Sequence, residues 1–458
     1  MIQSKERDII QMAQILTNTE HYASQFEDLN ITASPRDNKW LKNIRQTGME
    51  NFSQLGLPTH RKGNENWKYT SIREIARHNY QYSPIADDTT NSVTNISSVA
   101  PWNNEWINLV FIDGHYSNYH SNNQETIPGV SVSNIARELQ DRHPLIEEHL
   151  GSLAPSSSDG FTALNTAFLQ DGAIIHVAKG AVIKRPIHLL FISTDSRNYG
   201  ASYPRTLLIA DEFSKSTIIE SYVSYGDTIH FTNSVTEIEL KHNAHVEHYR
   251  LLNEGPNGRH VGIARVNESD ESSFQSTSLQ KSTGLGRYDL YVNLGGQQSK
   301  CELNGLYITT DREHIDNFIN IDHTKPHATS KLYYKGILDG YSRAVFGGTV
   351  WVREGAMKTD SQQDDKNLVL SENAEVDSKP ALFIYADDVK CGHGANAGNI
   401  GEDAVFFMRS RGIDLETASQ LLIFGFAREI LDKVRIEDLR ISLENLFLNS
   451  LPKYQFQF

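Results

Sequence analysis

The sequence feature that most constrains the fold is a long β-rich region with a nearly constant internal step. From about residue 160 to residue 385, short runs rich in β-branched residues follow one another, with few helix start or stop signals between them. A small residue precedes a new strand-like run at steps of 27 to 29 residues, at Ser216, Ala244, Ser272, Ser299, Ala328 and Ala356. A fixed step sustained over such a length is typical of repeat architectures.

The length of this step favours a coil of stacked parallel strands, as in a β-helix. A β-sandwich or a propeller is the competing all-β architecture, but propeller blades usually repeat at about 40 residues or more. Polar runs such as NESDES at residues 267–272 fit the corners of a coil, where strand ends meet water. The sequence therefore predicts a mainly β chain built around a parallel β-helix.

Helical patterns flank the β-rich region on both sides. Residues 1 to about 80 and 133–150 have apolar residues at helical spacing, and helical patterns return after Gly398. We therefore expect three units: an N-terminal helical and mixed region (1–155), the β-helix core (156–400) and a C-terminal helical region (401–458).

The C-terminal region is predicted to form two amphipathic helices, the first of them capped by Asp414. Such helices either cover the last coil of the β-helix, because stacked repeats need their end coil shielded, or form a docking site for a partner. Both roles are compatible with one pair of helices. The apolar positions predicted to contact a partner are Leu415, Leu422, Phe426, Ile430, Leu439 and Leu443.

Composition excludes several classes of protein. The formal net charge of −14 argues against nucleic acid as the main partner, because phosphate binding needs a clustered positive surface. Two cysteines in 458 residues are too few for a disulfide scaffold and fit a reducing compartment. No apolar run approaches the roughly 20 residues of a membrane span, and the N-terminus lacks the apolar core of a secretory signal. We expect a cytoplasmic protein without a membrane segment.

One stretch near the end of the β-rich region carries candidate chemistry. Cys391, Gly392, His393 and Gly394 follow a strand-like run, and residues two apart in an extended chain share a face. Cys391 and His393 would therefore project together, while the two glycines leave the opposite face bare. A thiol beside an imidazole is a soft ligand pair. Two ligands are too few for a closed metal site, so a second chain is the natural source of the others.

Several motifs along the chain resemble one protein family, the SufB/SufD family of iron–sulfur cluster assembly proteins. The clearest are VDSKP (376–380) and ADDVKCGHGA (386–395), and the pattern fits the SufD branch better than the SufB branch. Further similarities are GLPT (56–59), ENWKYT (65–70), NTAF (165–168), YKGIL (334–338), RAVF (343–346) and SRGI (410–413). Two positions depart mildly from the family pattern: Gly392, where Ser is common, and Asn396, where Thr is common.

The resemblance implies a right-handed parallel β-helix and a non-enzymatic scaffold role. It implies that the chain pairs with a SufB-like paralogue, that each of the two engages a SufC-like ABC ATPase, and that a transient iron–sulfur cluster is built at the SufB–SufD interface. His393 is then the implicated residue, with Cys391 beside it, and helices at about 414–448 contact the ATPase. A reduced flavin (FAD) is also associated with such complexes. A homodimer of the isolated chain is left open.

Two alternatives remain at this point. A polysaccharide lyase or hydrolase is one, because parallel β-helices host such enzymes and Asp387 and Asp388 form a carboxylate pair; adjacent strand residues, however, point to opposite faces. A purely structural partner without metal contact is the other. No phosphate-binding glycine loop with Lys-Ser/Thr is present, and we predict no catalytic residue.

A second group of possible metal ligands lies between residues 314 and 327. It contains His314, Asp316, Asp322, His323 and His327. Because the chain has 18 histidines, local clusters arise by chance, and we favour that explanation over a metal site.

Overall fold

The structure, a computed structural model, describes most of the chain. The described residues are 19–30, 39–58, 64–83, 93–123, 127–141, 144–194, 199–281 and 283–448. In none of these residues does a helix combine the length and the apolarity needed to cross a membrane.

Strands dominate the described chain, and helices lie mostly before and after them. In chain order the strands are β1 (Gln81–Tyr82), β2 (Ile107–Ile112), β3 (His115–Tyr116), β4 (Val130–Asn134), β5 (Gly172–Val177), β6 (Ile187–Thr194), β7 (Gly200–Ser202), β8 (Arg205–Ala210), β9 (Lys215–Tyr225), β10 (His230–Leu240), β11 (His245–Asn253), β12 (Gly255–Glu268), β13 (Ser273–Lys281), β14 (Thr283–Leu294), β15 (Lys300–Thr309), β16 (His314–His323), β17 (Thr329–Leu338), β18 (Arg343–Val352), β19 (Asp360–Val369), β20 (Glu375–Ile384) and β21 (Lys390–Gly398).

The helices fall into two groups at the two ends of the chain. The N-terminal group is α1 (residues 19–30), α2 (Lys39–Leu55), α3 (Arg73–Arg77), α4 (Ile135–Asp141), α5 (Pro144–His149) and α6 (Gly160–Ala167), with short 3₁₀ turns at Glu65–Trp67 and Ile96–Ser98. The C-terminal group is α7 (Glu402–Ser410), α8 (Leu415–Leu431) and α9 (Glu437–Leu448).

The strands wind into a two-sheet parallel β-helix. From β8 onward, even-numbered strands lie in sheet A and odd-numbered strands in sheet B. Each strand pairs in parallel with the strand two places later, so one coil consists of one strand from each sheet. The prediction of a mainly β chain with a parallel β-helix core and helical ends is confirmed.

The corners of the coils explain the repeated step. At one corner of successive coils a residue with positive φ precedes a small, buried residue, and the next sheet B strand starts directly after it. The small residues at equivalent places are Ser214, Ala244, Ser272, Ser299, Ala328 and Thr359.

Two of the anchors chosen from the sequence were wrong. The equivalent corner residues are Ser214 rather than Ser216, and Thr359 rather than Ala356. Ser216 lies inside β9, where it pairs with Val246. The true spacing varies between 27 and 31 residues because strand and loop lengths differ from coil to coil, for example in the longer loop 353–359 before β19, so a search for a constant step misplaces the end coils.

The interior of the β-helix is built from ladders of apolar side chains. In sheet A, Val292, Ile321 and Val350 occupy one inward position on successive coils and are fully buried. Each such side chain contributes about 1.5–3 kcal/mol by leaving water, and β-branched side chains suit this pleated, packed surface. Leu382 continues the ladder on β20 but is only half-buried.

The segment before residue 156 already contributes strands to the β-helix. Strand β2 pairs in parallel with β6, and β4 pairs antiparallel with β5. The domain boundaries at residues 155/156 and 400/401 stay a prediction.

The ENWKYT motif attaches the N-terminal region to the outer face of sheet A. The ring of Trp67 lies 3.9 Å from the guanidinium of Arg287, and the Thr70 hydroxyl donates a hydrogen bond to Asp316. Asp316 in turn pairs with Arg287. The motif therefore has a structural role in holding the N-terminal region against two successive coils.

A buried ion pair joins the N-terminal helices to the first coils. The guanidinium of Arg205 donates to Glu237 at 2.7 Å, to Asn165 at 3.1 Å and to the Ala154 carbonyl at 3.1 Å. Glu237 also accepts backbone N–H groups, including that of Gly151 at 2.9 Å. Both charges are buried. Their hydrogen bonds compensate for the lost hydration, and removing either partner leaves the other buried and unpaired.

Near the other end, a buried carboxyl group bridges the two sheets. Asp365 of β19 accepts hydrogen bonds from Ser378 of β20 at 2.6 Å and from Asn367 at 2.8 Å. Tyr307 of β15, two coils away in sheet B, donates to Asn367 at 2.5 Å. Burial raises the pKa of Asp365 to about 6, although these hydrogen bonds oppose the shift. The bridge fixes the spacing of β19 and β20 inside the last complete coil.

We expect Arg205→Ala to lower the free energy of unfolding by about 3–5 kcal/mol, because it leaves Glu237 charged and buried without its partner. Arg343→Ala is the matched control, since Arg343 and Glu375 form an ion pair whose side chains are both exposed, and it should cost under about 1 kcal/mol. Chemical denaturation followed by far-UV circular dichroism measures both. Equal losses in the two variants would contradict the role given to the buried pair.

Asp365 should make stability depend on pH. Its folded pKa of about 6 lies above the ordinary 3.8, so the folded state binds this proton more tightly than the unfolded state. The contribution of Asp365 is therefore greatest below pH 4 and is lost as pH rises to about 6, a change of about 3 kcal/mol. Asp365→Asn removes this dependence.

The measurement is the free energy of unfolding of wild type minus that of Asp365→Asn, at pH 4.5, 5.5 and 7 by urea denaturation. The difference should shrink steadily as pH rises. Asp364→Asn, at the neighbouring outward position of β19, is the control. A difference that stays constant across this range would show that Asp365 does not titrate there.

Candidate functional site at the open end of the β-helix

The last coil of the β-helix is open on one side. Strands β20 and β21 end sheets A and B, and among the described residues no strand pairs with their outer edges. Three consecutive apolar side chains are exposed at this end: Phe383 is 41%, Ile384 is 43% and Tyr385 is 56% exposed. An edge with unpaired backbone N–H and C=O groups beside apolar side chains is a template for adding another strand.

Cys391 and His393 lie on β21, at this open end. In the parallel pairing with β19, Cys391 is opposite Ser361 and His393 is opposite Gln363. Ser361 and Gln363 are buried and face the interior, so Cys391 and His393 also face the interior side of sheet B. The expectation that the two share a face is confirmed. Cys391 is half-buried against the apolar interior, whereas His393 is exposed because no coil follows.

Gly392 and Gly394 face the outer side of sheet B, but that side is not bare. A Cβ atom at Gly392 would lie 3.2 Å from the Gln362 side chain, and one at Gly394 would lie 2.9 Å from Asp364. The side chains of β19 therefore already lie over the two glycines. The expectation of bare backbone was wrong, because sequence spacing does not show which way the neighbouring coil's side chains turn.

Electrostatics keep the Cys391 thiol in its neutral form in this chain alone. Burial raises the pKa of Cys391, the Asp360 carboxylate raises it further, and the Ser361 backbone N–H opposes both effects. A metal binds the thiolate, so binding at Cys391 would release a proton.

Within the described residues, no three His, Cys, Asp or Glu side chains are placed to hold a metal ion together. Several of the candidate ligands at 314–327 instead contact other protein side chains. Asp316 pairs with Arg287, Asp322 pairs with Arg353 at 2.8 Å, and His323 contacts Ser330 at 2.9 Å. The absence of a metal site at 314–327 stays a prediction.

The carboxylates considered for glycoside chemistry lie in an exposed turn between β20 and β21. Asp388 has a positive φ of 55° and pairs with Lys358. Both Asp387 and Asp388 are exposed. A tight turn at the edge of a coil offers no cleft for a sugar chain at this pair.

The six predicted partner-contact residues divide into two sets. Ile430, Leu439 and Leu443 are buried in the contact between α8, α9 and the outer face of sheet B. Leu415, Leu422 and Phe426 are half-buried. The former three stabilise this chain's own packing, and the contact of all six with a partner stays a prediction.

Sequence analysis missed the most exposed apolar residues of the C-terminal region. Phe406 is 74% and Phe407 60% exposed on α7, where Val405 alone is buried. Leu421 on α8 is 48% exposed. The signal was present, because neighbouring residues on a helix point about 100° apart and cannot all face one core.

Comparison with protein-family models matches both halves of the chain. Residues 191–426 match the model described as SUF system FeS cluster assembly, SufBD core domain. Residues 16–189 match the SufBD protein N-terminal region. The first match spans the β-helix from β6 and continues through most of α8.

Characterised relatives match over nearly the whole chain. An iron–sulfur cluster assembly SufBD family protein of Synechocystis is 28% identical over 94% of this chain and 96% of its own length. The iron–sulfur cluster assembly protein SufD of Escherichia coli is 30% identical over 86% of this chain and 89% of its own. SufD of Bacillus subtilis is 25% identical over 88% and 92%. This chain belongs to the SufBD family of iron–sulfur cluster assembly proteins.

Proposed function

We propose that this chain is a non-enzymatic scaffold subunit that pairs through its open end with a SufB-like chain, and that a nascent iron–sulfur cluster forms between them. One observation carries the proposal: two soft ligands, Cys391 and His393, face the interior side of an edge strand whose next coil is missing. A ligand pair in this place is completed by whatever adds the next strands.

The open end suits a partner of the same fold. Strands of a second β-helix would satisfy the unpaired backbone groups of β20 and β21 by strand addition. The same contact would cover Phe383, Ile384 and Tyr385, which are exposed in the isolated chain. Two identical copies can meet in this way as well, so a homodimer of the isolated chain remains part of the proposal.

The ligand chemistry fits an iron–sulfur cargo. Thiolate sulfur and imidazole nitrogen are both found as ligands of iron–sulfur clusters. Cys391 and His393 would supply up to two ligands, and the SufB-like chain the rest. A site divided between two chains can release its cargo when the chains move apart.

The proposed contact with a SufC-like ATPase lies on α7 and the start of α8. Phe406, Phe407 and Leu421 are exposed there. Residues 399–401 connect α7 directly to β21, the strand of Cys391 and His393. The ammonium of Lys335 on β17 donates to the Phe426 carbonyl of α8 at 2.9 Å and pairs with Glu429 at 2.7 Å. Movement of the helices would therefore reach the open end through the chain itself.

The flavin expected from the resemblance is not assigned to this chain. A cleft of about 690 Å³, between residues 55–69 and the outer face of sheet A, is lined by Trp67, Trp351 and other aromatic side chains. Of the three cations that line it, Arg265 pairs with Asp289, Lys379 pairs with Glu65, and Lys68 lies over the ring of Tyr69. Each is thus engaged by a neighbouring side chain, and no step of the proposal uses a flavin.

Replacing His393 tests the ligand role. After anaerobic co-expression with SufB-like and SufC-like partners, His393→Ala should reduce iron and acid-labile sulfide per complex by about tenfold, a loss typical of a disrupted metal site. Size-exclusion chromatography shows whether the complex still assembles. His245→Ala, a half-exposed histidine on β11 far from the open end, is the control.

If the His393→Ala complex assembles and holds its full complement of iron, His393 is not a ligand and this chain is a purely structural partner. Cys391→Ala, measured in parallel, shows whether the thiol is a ligand or a neighbour of one.

The double variant Phe406→Ser/Phe407→Ser tests the helical docking surface. One aromatic anchor of an interface often contributes about 2 kcal/mol or more, so the loss of even one of the two should raise the dissociation constant for the SufC-like ATPase by about 30-fold. Ile441→Ser, at a 48% exposed position on α9, is the control. Isothermal titration calorimetry measures both, and unchanged affinity of the double variant would move the contact elsewhere.

A further inference from the structure

A buried glutamine lies one coil beneath His393. Gln363 is on β19, directly opposite His393 of β21 in the parallel pairing, and its side chain faces the interior. It is fully buried. Its Nε2 donates a hydrogen bond to the Gly348 carbonyl of sheet A at 3.1 Å. This contact sets the orientation of the amide, because the opposite orientation would place two carbonyl oxygens against each other.

The interior is shaped to hold this amide. A Cβ atom on Gly348 would lie 2.2 Å from Gln363 Nε2, so only glycine leaves room for the side chain to cross from sheet B to sheet A. The orientation of the amide is therefore determined by two elements at once, β18 and β19.

The other end of the amide has no partner within the described chain. Gln363 Oε1 is buried and accepts no hydrogen bond there. Leaving such an oxygen unsatisfied costs about 1–3 kcal/mol. Buried polar atoms of this kind usually have a partner in the functional state of a protein.

The coil above Gln363 offers one strong donor. The interior-facing residues of β21 on either side of His393 are Cys391 and Ala395, of which the thiol is a weak donor and the methyl group none. On β20, Pro380 faces the same place, and Ser378 already donates to Asp365. Among these positions of β20 and β21, the ring of His393, directly opposite Gln363, carries the remaining strong N–H donor.

We propose that Gln363 is a positioning residue for His393: its Oε1 accepts a hydrogen bond from one ring nitrogen and directs the other nitrogen to the metal. The part of this inference that concerns the metal rests on the proposed function, whereas the hydrogen bond between Gln363 and His393 does not. Histidine ligands commonly donate their second ring N–H to an oxygen acceptor, which fixes the tautomer and the ring orientation. Here the acceptor comes from the preceding coil, so the site is oriented before the partner chain arrives.

The chain itself offers a matched control. Gln280 of β13 is also a buried, interior-facing glutamine of sheet B whose Oε1 has no partner among the described residues, and its Nε2 is engaged by Asn317 at 2.5 Å. It lies three coils away from β19. Gln280→Met and Gln363→Met therefore make the same chemical change, one far from His393 and one beneath it.

The first measurement is the ring tautomer of His393 in the full chain. Selective ¹⁵N-histidine labelling at about pH 8, where imidazole is neutral, with His393→Ala to assign the signal, reports which nitrogen carries the proton. We expect one tautomer in wild type, a mixture in Gln363→Met, and no change in Gln280→Met. A His393 signal that is the same in Gln363→Met as in wild type overturns the inference, whatever the function of the protein.

The second measurement is iron(II) binding by the assembled complex with its SufB-like and SufC-like partners under anaerobic conditions. Gln363→Met should weaken binding by about 10- to 100-fold, and Gln280→Met should match wild type. If the tautomer changes but iron binding is unaffected by both Gln363→Met and His393→Ala, the hydrogen bond stands and the ligand role of His393 fails. Equal weakening by Gln280→Met would show a general loss of packing and overturn the positioning role.

Discussion

The backbone ladder between successive coils is the constraint on which this structure depends. Each strand satisfies its N–H and C=O groups on the strand two places before it and the strand two places after it. The backbone groups of a coil are therefore all paired only when another coil follows, and at the two ends of a β-helix they need another partner. Here the first end is closed by the antiparallel strands β3 and β4, whereas in the described part of the chain no coil follows β20 and β21. The candidate site lies at the end that the ladder leaves incomplete.

The same geometry places polar groups in the interior. An inward position recurs on each coil, so a polar side chain there needs a partner on a neighbouring coil or on the opposite sheet. Asp365 accepts a hydrogen bond from Ser378 across the interior, and Gln363 donates one to the Gly348 carbonyl. These contacts lie directly beneath β21. The coil below the candidate site is thus held by hydrogen bonds with defined directions, whereas apolar ladders such as Val292, Ile321 and Val350 set only the spacing.

The C-terminal helical region has a buried side and an exposed side. Its buried side, with Ile430, Leu439 and Leu443, holds it to the outer face of sheet B, and its exposed side presents Phe406 and Phe407. The covalent connection at 399–401 and the contact of Lys335 with α8 join the helices to sheet B at two separate places. The helices pack against the outer face of sheet B and not over the last coil, so the expectation that they cover that coil was wrong. Packing on sheet B and docking a partner are nevertheless compatible uses of one region.

The sequence by itself determined the architecture and the position of the candidate site. Runs of β-branched residues at a near-regular step were enough to predict a parallel β-helix, because the sequence shows both the local strand preference and the length of a coil. The alternation within a strand likewise placed Cys391 and His393 on one face. Sequence could not place the corners at Ser214 and Thr359, since loops of unequal length shift the step.

Only the tertiary structure decided which residues meet across coils. The burial of Ile430, Leu439 and Leu443, the exposure of Phe406 and Phe407, and the cover that Gln362 and Asp364 provide over Gly392 and Gly394 all depend on neighbours about 30 residues or more away. The pairing of Gln363 with His393 depends in the same way on the register between β19 and β21. A register is set by the packing of the whole coil, and it is not encoded in either strand alone.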